Sequence, residues 1–206
     1  ITFNPDLSLF KEIFVSHIRS DCDGIIIVDN NSNNSREIQE LFNICKKELI
    51  FRGLDSNYGI AKAQNVGVNL ARMHDCTHVI LFDQDSKSPE YIATELLKEE
   101  NELISQGISV GAIGPVYYDA RTKNVYPLAL LNGFRLKNIY PKEDHTDPIN
   151  LSFIIASGSL IRISVLDDVG EFYDPFFIDL VDIEWCLRAL SLGYKVYASP
   201  NVSIEH

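Results

Sequence analysis

Apolar runs typical of buried strands alternate with helix-like segments over the first part of the chain. The strand-like runs are "GIIIVDNNS", "ELIFRG", "THVILFD" and "VGAIGPVYY", at residues 24–32, 48–53, 77–83 and 110–118. Apolar residues recur at helical spacing over residues 6–18, 35–45, 59–73 and 88–105. This alternation predicts an α/β fold with a mostly parallel central sheet and helices on both faces.

Polar residues at the start of these segments predict where the helices begin. Asp6 or Ser8 can cap the first helix, and Ser35 the second. Ser88 can cap the fourth helix, with Pro89 at its first position, where a missing N–H does no harm.

The end of the chain is less regular. Residues 119–150 are polar and predict a long loop or a hairpin, and residues 151–164 predict a strand interrupted at 157–159. A helix over residues 178–193 and a strand over 194–200 follow. We see no repeats or linkers, so residues 1–206 are expected to form a single domain.

Composition narrows the range of ligands. With 46% hydrophobic and 23% charged residues among 206, the chain can build a full core. The net charge of −11 argues against nucleic-acid binding and against a basic membrane surface. No apolar run approaches the roughly 18 residues that span a bilayer. The widely spaced cysteines, without a CxxC pair, indicate buried thiols in a reducing compartment.

Three polar groups follow predicted strands, at residues 29–32, 57–59 and 83–85. Ligands of parallel sheets bind beyond the carboxyl ends of the strands, so all three groups should line one edge. Asp29 can accept hydrogen bonds from a nucleotide, or it can stabilise a local turn. No GxGxxG motif precedes an acid at the right distance, which argues against a dinucleotide site.

Asp83 and Asp85 repel each other unless a cation lies beside them, and their hard oxygens suit Mg²⁺ or Mn²⁺. An EF-hand is excluded because its Gly and Glu positions hold Ser88 and Thr94. A P-loop site lacks its GxxxxGK[ST] partner. A phosphatase of the haloacid dehalogenase type is disfavoured because Lys87 stands where Thr or Val is expected. A solvated loop stays open as an alternative.

A second acidic group lies in "PFFIDLVDIEWCLRA", where helical spacing places Asp179 and Asp182 on one face. One of them can act as a general base, or both can simply suit a helix N-terminus. Glu184 and Arg188 are spaced for an ion pair. His206, after the last strand, can complete a metal site or lie on the surface.

Six motifs together resemble family 2 glycosyltransferases of the GT-A fold, most closely bacterial rhamnosyltransferases. They are "IIIVDNNS", "NYGIAKAQNVGV", "ILFDQDS", "ASGSLIR", "VGEFYDPFFIDLVDIEWCLRA" and "GYKVYASPNVSIEH", in the order of the family and over nearly the whole chain. The chain departs from the family at Val181, where an acid usually precedes the base.

The resemblance implies inverting transfer of a sugar from a nucleoside diphosphate donor, with dTDP-rhamnose favoured, to an acceptor hydroxyl. The acceptor would be a glycan or lipid-linked glycan of cell-surface polysaccharide synthesis. The implied location is cytoplasmic, peripheral at the inner face of the membrane. The alternatives are a non-catalytic nucleotide-sugar binding domain and, less favoured, the phosphatase.

The resemblance also implies a role for each matching residue. The donor side comprises Thr2, Asp29, Asn57, Gly59, Asn65 and Asp83. Asp85 and His206 would hold the Mg²⁺ or Mn²⁺, and Asp182 would be the base. Gly158, Asp179 and Glu184 are further candidates on the acceptor side. Residues 1–118 would form the nucleotide-binding half and residues 119–206 the acceptor half of a catalytic domain truncated at both ends.

Overall fold

The computed structural model describes residues 1–44, 46–119, 122, 124–133, 135–141 and 145–205. The helices are α1 (Leu7–Arg19), α2 (Ser35–Glu40), α3 (Gly59–Met73), α4 (Ile92–Ser105), α5 (Ile163–Val169) and α6 (Val181–Ser191), with 3₁₀ turns at Leu41–Ile44 and Asp174–Phe176. The strands are β1 (Gly24–Asp29), β2 (Glu48–Gly53), β3 (His78–Ile80), β4 (Val110–Tyr118), β5 (Leu128–Asn132), β6 (Arg135–Ile139), β7 (Ile149–Leu151), β8 (Leu160–Arg162) and β9 (Lys195–Glu205).

The strands form three sheets. β1 and β2 pair in parallel, with Gly24 opposite Glu48 and Asp29 opposite Gly53. The largest sheet has the order β3-β8-β4-β9-β7. Within it β4 and β9 are parallel, whereas β8 and β7 run antiparallel to their neighbours, so this sheet is mixed. β5 and β6 form the hairpin that was one of the two predictions for residues 119–150.

Helices cover both faces of the five-stranded sheet, as predicted. On one face, α3, α5 and α6 share a core cluster with Ala112 and Val116 of β4. On the other face, α4 shares a cluster with Ile113 and Tyr117 of the same strand. Trp185 of α6 is only 1% exposed. The start of α6 is therefore fixed against the sheet by apolar burial.

Of the three predicted helix caps, only the cap of α1 was correct. Asp6 caps α1 as predicted, accepting the backbone N–H groups of Ser8 at 2.9 Å and Leu9 at 3.0 Å. Ser35 is not a cap, because it already lies inside α2 and Asn34 holds the cap position.

Ser88 does not cap α4, which begins at Ile92. The carboxylate that reaches its first turn is Asp21, which accepts the N–H groups of Ala93 at 2.8 Å and Thr94 at 2.7 Å. Asp21 is more than 70 residues away in sequence, so no local spacing could reveal this cap.

Three predicted elements are shorter or more divided in the structure than expected. The strand predicted over 77–83 pairs as β3 only at His78–Ile80, and residues 151–164 divide between β7, an irregular turn, β8 and α5. The helix predicted from residue 178 begins at Val181, because Leu180 has φ +63° and Phe177 has φ +58°. Positive φ values break the helical path before α6.

Candidate functional site

Asp29 ends β1 fully buried, inside a network of short hydrogen bonds. Its carboxylate accepts the Thr2 hydroxyl at 2.8 Å, the Ser32 N–H at 3.0 Å and the Ser32 hydroxyl. Thr2 also pairs with this strand through its backbone, with its N–H donating to the Val28 carbonyl at 3.0 Å. The structure thus shows the local turn that the sequence left open, and it brings Thr2 into contact with Asp29.

Asn30 connects the end of β1 to the start of α3. Its side-chain Nδ2 donates to the Gly59 carbonyl at 2.9 Å, and its Oδ1 accepts the Tyr58 N–H at 3.1 Å. The side chain is 2% exposed. Asn30 was not assigned a role of its own from the sequence, although a polar amide directly after an apolar strand must be paired if it is buried.

Gly59 lies at a close contact between α3 and the segment before α6. Its φ is +83°, and a Cβ there would lie 2.4 Å from the Phe177 carbonyl oxygen. The same carbonyl accepts the Ile60 N–H at 2.6 Å. Asn57 adds a local bond, its Oδ1 accepting the Gly59 N–H at 3.0 Å. Only glycine combines this backbone angle with this contact.

Asn65 uses both ends of its amide to hold the segment that leads to α6. Its Nδ2 donates to the Phe172 carbonyl at 2.8 Å and to the Asp174 carboxylate at 2.7 Å. Its Oδ1 accepts the Phe172 N–H at 2.9 Å. Both amide hydrogens of Asn65 are therefore engaged within the protein, and its connection to the site runs through this segment.

The turn at residues 157–159 is hydrogen-bonded to Leu81, in the segment that leads to Asp83 and Asp85. The Leu81 N–H donates to the Ser159 carbonyl at 3.1 Å, and Leu81 in turn accepts the Gly158 N–H at 2.6 Å. Gly158 has φ +83°, and a Cβ would lie 2.5 Å from Ile204 Cδ1. The chain therefore needs glycine here for close packing, and Gly158 positions the chain before Asp83.

Asp83 and Asp85 stand at the edge of this turn with different exposure. Asp83 is half-buried, and its N–H donates to the Ser157 hydroxyl at 3.4 Å. Asp85 is exposed. One acid thus faces the protein and the other faces solvent.

Asp182, in the first turn of α6, lies near Asp83. One of its carboxylate oxygens accepts the Ala156 N–H at 2.9 Å. Burial, together with a smaller contribution from the negative charge of Asp83, raises the pKa of Asp182 to about 6. The predicted base and the first predicted acid of the pair thus influence each other electrostatically.

Tyr117 of β4 belongs to the same surroundings. Its hydroxyl donates to the Ser157 carbonyl at 2.5 Å. Burial raises the pKa of Tyr117 well above its usual value, with the charges of Asp182 and Asp83 adding to the effect. The phenol is therefore neutral at physiological pH. Its bond to the Ser157 carbonyl holds the 157–159 turn in place.

The other two acids of the α6 region occupy different positions. Glu184 forms a two-point ion pair with Arg188, at 2.8 Å for each contact, as its spacing predicted. Arg188 also donates to the Val169 carbonyl at 2.7 Å. Asp179 is exposed and precedes α6, so the helical face expected to join it to Asp182 does not form.

The donor atoms at this edge suit a hard divalent cation. Within the part of the chain that the structure describes, no three His, Cys, Asp or Glu side chains form a metal cluster. His206 lies outside the described residues. Mg²⁺ is usually held by one or two carboxylates together with substrate phosphates. The residue types at Asp83 and Asp85 fit that mode of binding.

Comparisons with known proteins place this chain in a family. The family model described as glycosyl transferase family 2 matches residues 13–170. The dTDP-rhamnosyl transferase RfbF of Shigella flexneri is 33% identical over 211 residues, covering 100% of this chain and 67% of RfbF. The match therefore extends beyond one motif to the whole chain.

Solved structures support the fold. A structure of GalNAc-T7 with UDP, GalNAc and Mn²⁺ matches with a TM-score of 0.79 at 14% identity, over 100% of this chain and 42% of that one. A fragment of S. aureus TarS in complex with UDP-GlcNAc matches with a TM-score of 0.64 at 15% identity, over 100% and 56%. The chain thus spans less than two-thirds of these structures. The expected GT-A fold is confirmed, and the chain belongs to glycosyltransferase family 2.

Proposed function

We propose that this domain transfers a sugar with inversion from a nucleoside diphosphate donor, dTDP-rhamnose being favoured, to an acceptor hydroxyl. The observation that carries the proposal is Asp182, a partly buried carboxyl near Asp83 with its pKa raised to about 6. A general base works best when its pKa lies near the working pH. The family and the named rhamnosyl relative supply the reaction class and the favoured donor.

Asp182 is suited to accept the proton of the acceptor hydroxyl. The Ala156 N–H holds one carboxylate oxygen at 2.9 Å, which orients the group. Above about pH 6 the carboxyl is mostly ionised and can take up a proton as the hydroxyl attacks. Attack from the side opposite the departing diphosphate inverts the sugar carbon.

The donor would lie across the edge where β1, α3 and the acid pair meet. Thr2, Asp29, Asn57, Gly59 and Asn65 stay our candidates for the nucleotide side. The structure supports this choice for Asp29 and Gly59 in particular, since Asn30 ties the two segments together. Solved relatives of the same fold bind UDP or UDP-GlcNAc, which supports a nucleotide-sugar donor.

We propose that Asp85 and His206 hold the Mg²⁺ or Mn²⁺ that a diphosphate needs in so acidic a protein, with Asp83 beside them on the donor side. The net charge of −11 would otherwise repel the donor. Such an ion supplies charge neutralisation for the leaving diphosphate. The GalNAc-T7 structure contains Mn²⁺ together with UDP, which supports metal use in this fold.

We further propose a single domain, with a nucleotide half at residues 1–118 and an acceptor half at 119–206 that includes Gly158, Asp179 and Glu184. The acceptor would be a glycan or lipid-linked glycan of cell-surface polysaccharide synthesis. A cytoplasmic location, peripheral to the membrane, fits the described cysteines Cys22, Cys76 and Cys186, which are free thiols. No helix of the described chain is long and apolar enough to cross a bilayer.

Nucleotide binding tests the donor and the metal together. We expect dTDP with Mn²⁺ to raise the melting temperature, and dTDP or Mn²⁺ alone to raise it much less. Asp85→Ala should remove the metal-dependent part, whereas Lys87→Ala, a nearby exposed substitution, should retain it. Equal stabilisation by dTDP with and without Mn²⁺, or a normal response of Asp85→Ala, would overturn the metal assignment.

The same samples separate the enzyme from the binding-only alternative. An enzyme releases dTDP from dTDP-rhamnose when an acceptor is present. A chain that binds the donor with metal but never releases dTDP, with any acceptor glycan supplied, would be a nucleotide-sugar binding domain.

A further inference from the structure

Asp182, the proposed base, lies in a helical turn that has little local support. Helix α6 begins at Val181, and among the described residues no side chain caps it, because Leu180 occupies the cap position. The first turn of a helix frays readily when its N–H groups lack a cap. Burial of Trp185 fixes α6 one turn later. The segment before α6 therefore determines how firmly Asp182 is held.

Residues 178–180 link Phe177 to α6 with little help from packing. The side chains of Ile178 and Leu180 are 56% and 60% exposed, and Asp179 is exposed as well. Burial of side chains thus contributes little to the position of this link. Its position depends on its backbone angles and on where its two ends are attached.

The backbone of this link is strained at both ends. Phe177 has φ +58° and ψ −69°, and the Ile178 N–H donates to the Phe176 carbonyl at 2.6 Å, which is a γ-turn of the rare, strained kind. Leu180 is left-handed, with φ +63° and ψ +5°. Strained angles at bulky residues persist only where the surrounding structure holds them, and they cluster at functional sites.

Helix α3 holds the first end of the link through its backbone. The Phe177 carbonyl accepts the Ile60 N–H at 2.6 Å and the Ala61 N–H at 3.3 Å. These donors belong to the first turn of α3, directly after Gly59, which contacts the same carbonyl. The residue with the γ-turn geometry is thus fixed to the start of α3.

Two side chains of α3 hold the segment that precedes Phe177. Asn65, only 3% exposed, bonds to both the N–H and the carbonyl of Phe172 and also to the Asp174 carboxylate. Lys62, one turn earlier, forms an ion pair with Asp174 at 3.0 Å. The buried amide of Asn65 is the stronger contact, because the ion pair is partly exposed.

We propose that α3 sets the position of Asp182 through residues 172–180, with Asn65 as a positioning residue for the base. The catalytic consequence of this arrangement rests on the proposed function. Asn57 and Gly59, candidates for the nucleotide side, lie at the start of the same helix. One helix thus connects the nucleotide side of the site to the base.

Amide hydrogen exchange tests the structural part without any assay of activity. The Glu184 N–H donates to the Leu180 carbonyl at 2.9 Å and reports on the first turn of α6. Asn65→Ala should accelerate its exchange at least about tenfold. The Glu95 N–H, in the first turn of α4, donates to the Tyr91 carbonyl at 3.1 Å and should exchange as in wild type. Unchanged exchange at Glu184, or equal acceleration at both amides, would overturn the proposal.

Hydrolysis of dTDP-rhamnose with Mn²⁺ tests the catalytic part, with water as the acceptor. The water oxygen bonds to the sugar carbon, the bond from that carbon to the diphosphate breaks, and Asp182 takes the proton. We expect Asn65→Ala to lower kcat by about 10- to 100-fold with KM and dTDP affinity unchanged, since a small displacement of a catalytic group is costly. Asn69→Ala, at an exposed position of α3 that bonds only to the Glu171 side chain within this segment, should keep the wild-type kcat.

Leu180 gives a second test that does not risk the core. Leu180→Gly should melt at or above the wild-type temperature, because glycine adopts φ +63° without strain, yet its kcat should fall about tenfold as the link loosens. Leu180→Asn should restore kcat to within about threefold of wild type, because asparagine tolerates the left-handed conformation. A merely structural role would lower rate and melting temperature together.

The two proposals fail in different ways. Normal hydrolysis by Asp182→Asn would overturn the base assignment, while exchange at Glu184 would still report whether α3 holds α6. Loss of dTDP affinity in Asn65→Ala at a normal kcat would identify Asn65 as a nucleotide contact and overturn its positioning role. A wild-type kcat in Leu180→Gly would show that the strained link does not position Asp182.

Discussion

Asp29 and Asp182 are both carboxylates held at the edge of the core, but their surroundings differ. Three donors from Thr2 and Ser32 surround Asp29, which is fully buried. Asp182 accepts the Ala156 N–H, and burial together with Asp83 raises its pKa to about 6. The donors around Asp29 therefore hold its carboxylate in place at the proposed nucleotide side, whereas Asp182, with one backbone donor and a negative neighbour, can exchange a proton near neutral pH.

Replacing each acid with its amide is the strongest test of this difference between Asp29 and Asp182. We expect Asp182→Asn to reduce transfer by about 10²- to 10⁴-fold, the usual contribution of a general base, with metal-dependent dTDP binding intact. Asp29→Asn should instead destabilise the fold by roughly 1–3 kcal/mol, because an amide N–H₂ would face existing donors. Transfer rates, dTDP titrations and urea unfolding of both variants provide the measurement. If both variants lose transfer to a similar extent while their stability is unchanged, the two acids do not differ in the way proposed.

Gly59 connects the two regions, and its substitution should give the next largest effect. Gly59→Ala places a Cβ 2.4 Å from the Phe177 carbonyl oxygen at φ +83°, so we expect a loss of roughly 3 kcal/mol in unfolding free energy. Gly107→Ala is the matched control, since its φ is +81° but no atom lies within 4 Å of the added Cβ. It should lose only about 1 kcal/mol. Equal losses would show that backbone angle alone, without the contact to Phe177, determines the cost.

The raised pKa of Asp182 also makes a smaller prediction about stability and pH. Its folded pKa of about 6 lies above the unfolded value of 3.8, so the folded state binds the proton more tightly. The contribution of Asp182 to the free energy of unfolding is fully present below pH 3.8 and is lost as pH rises through 6. We therefore compare the unfolding free energy of wild type with that of Asp182→Asn. The difference, wild type minus variant, should be roughly 2 kcal/mol larger at pH 4.5 than at pH 7. A difference independent of pH would show that Asp182 has an ordinary pKa.

Much of the framework followed from local pattern. Runs of apolar residues located β1, β2 and β4, and helical spacing located α3 at its observed bounds. The placement of the acid pair after β3 and of Asp182 in the first turn of α6 also followed from the sequence. These features depend on neighbours within a few residues, so a single sequence carries them.

The remaining features depend on contacts between distant segments. Asp21 caps α4 from more than 70 residues away, and Asn65 bonds to Phe172 across 107 residues. The pKa of Asp182 depends on burial and on Asp83, which lies in another element. Such effects arise only when the chain is folded, and no spacing rule predicts them.

The pH dependence of transfer tests most directly whether Asp182 is the proton acceptor. We expect kcat/KM for the acceptor, measured with Mn²⁺ and dTDP-rhamnose, to rise tenfold per pH unit in acid and to level off above a midpoint near 6. The residual activity of Asp182→Asn should lack this rise. A wild-type profile that is flat from pH 4.5 to 8, or an Asp182→Asn profile with the same midpoint, would contradict the assignment.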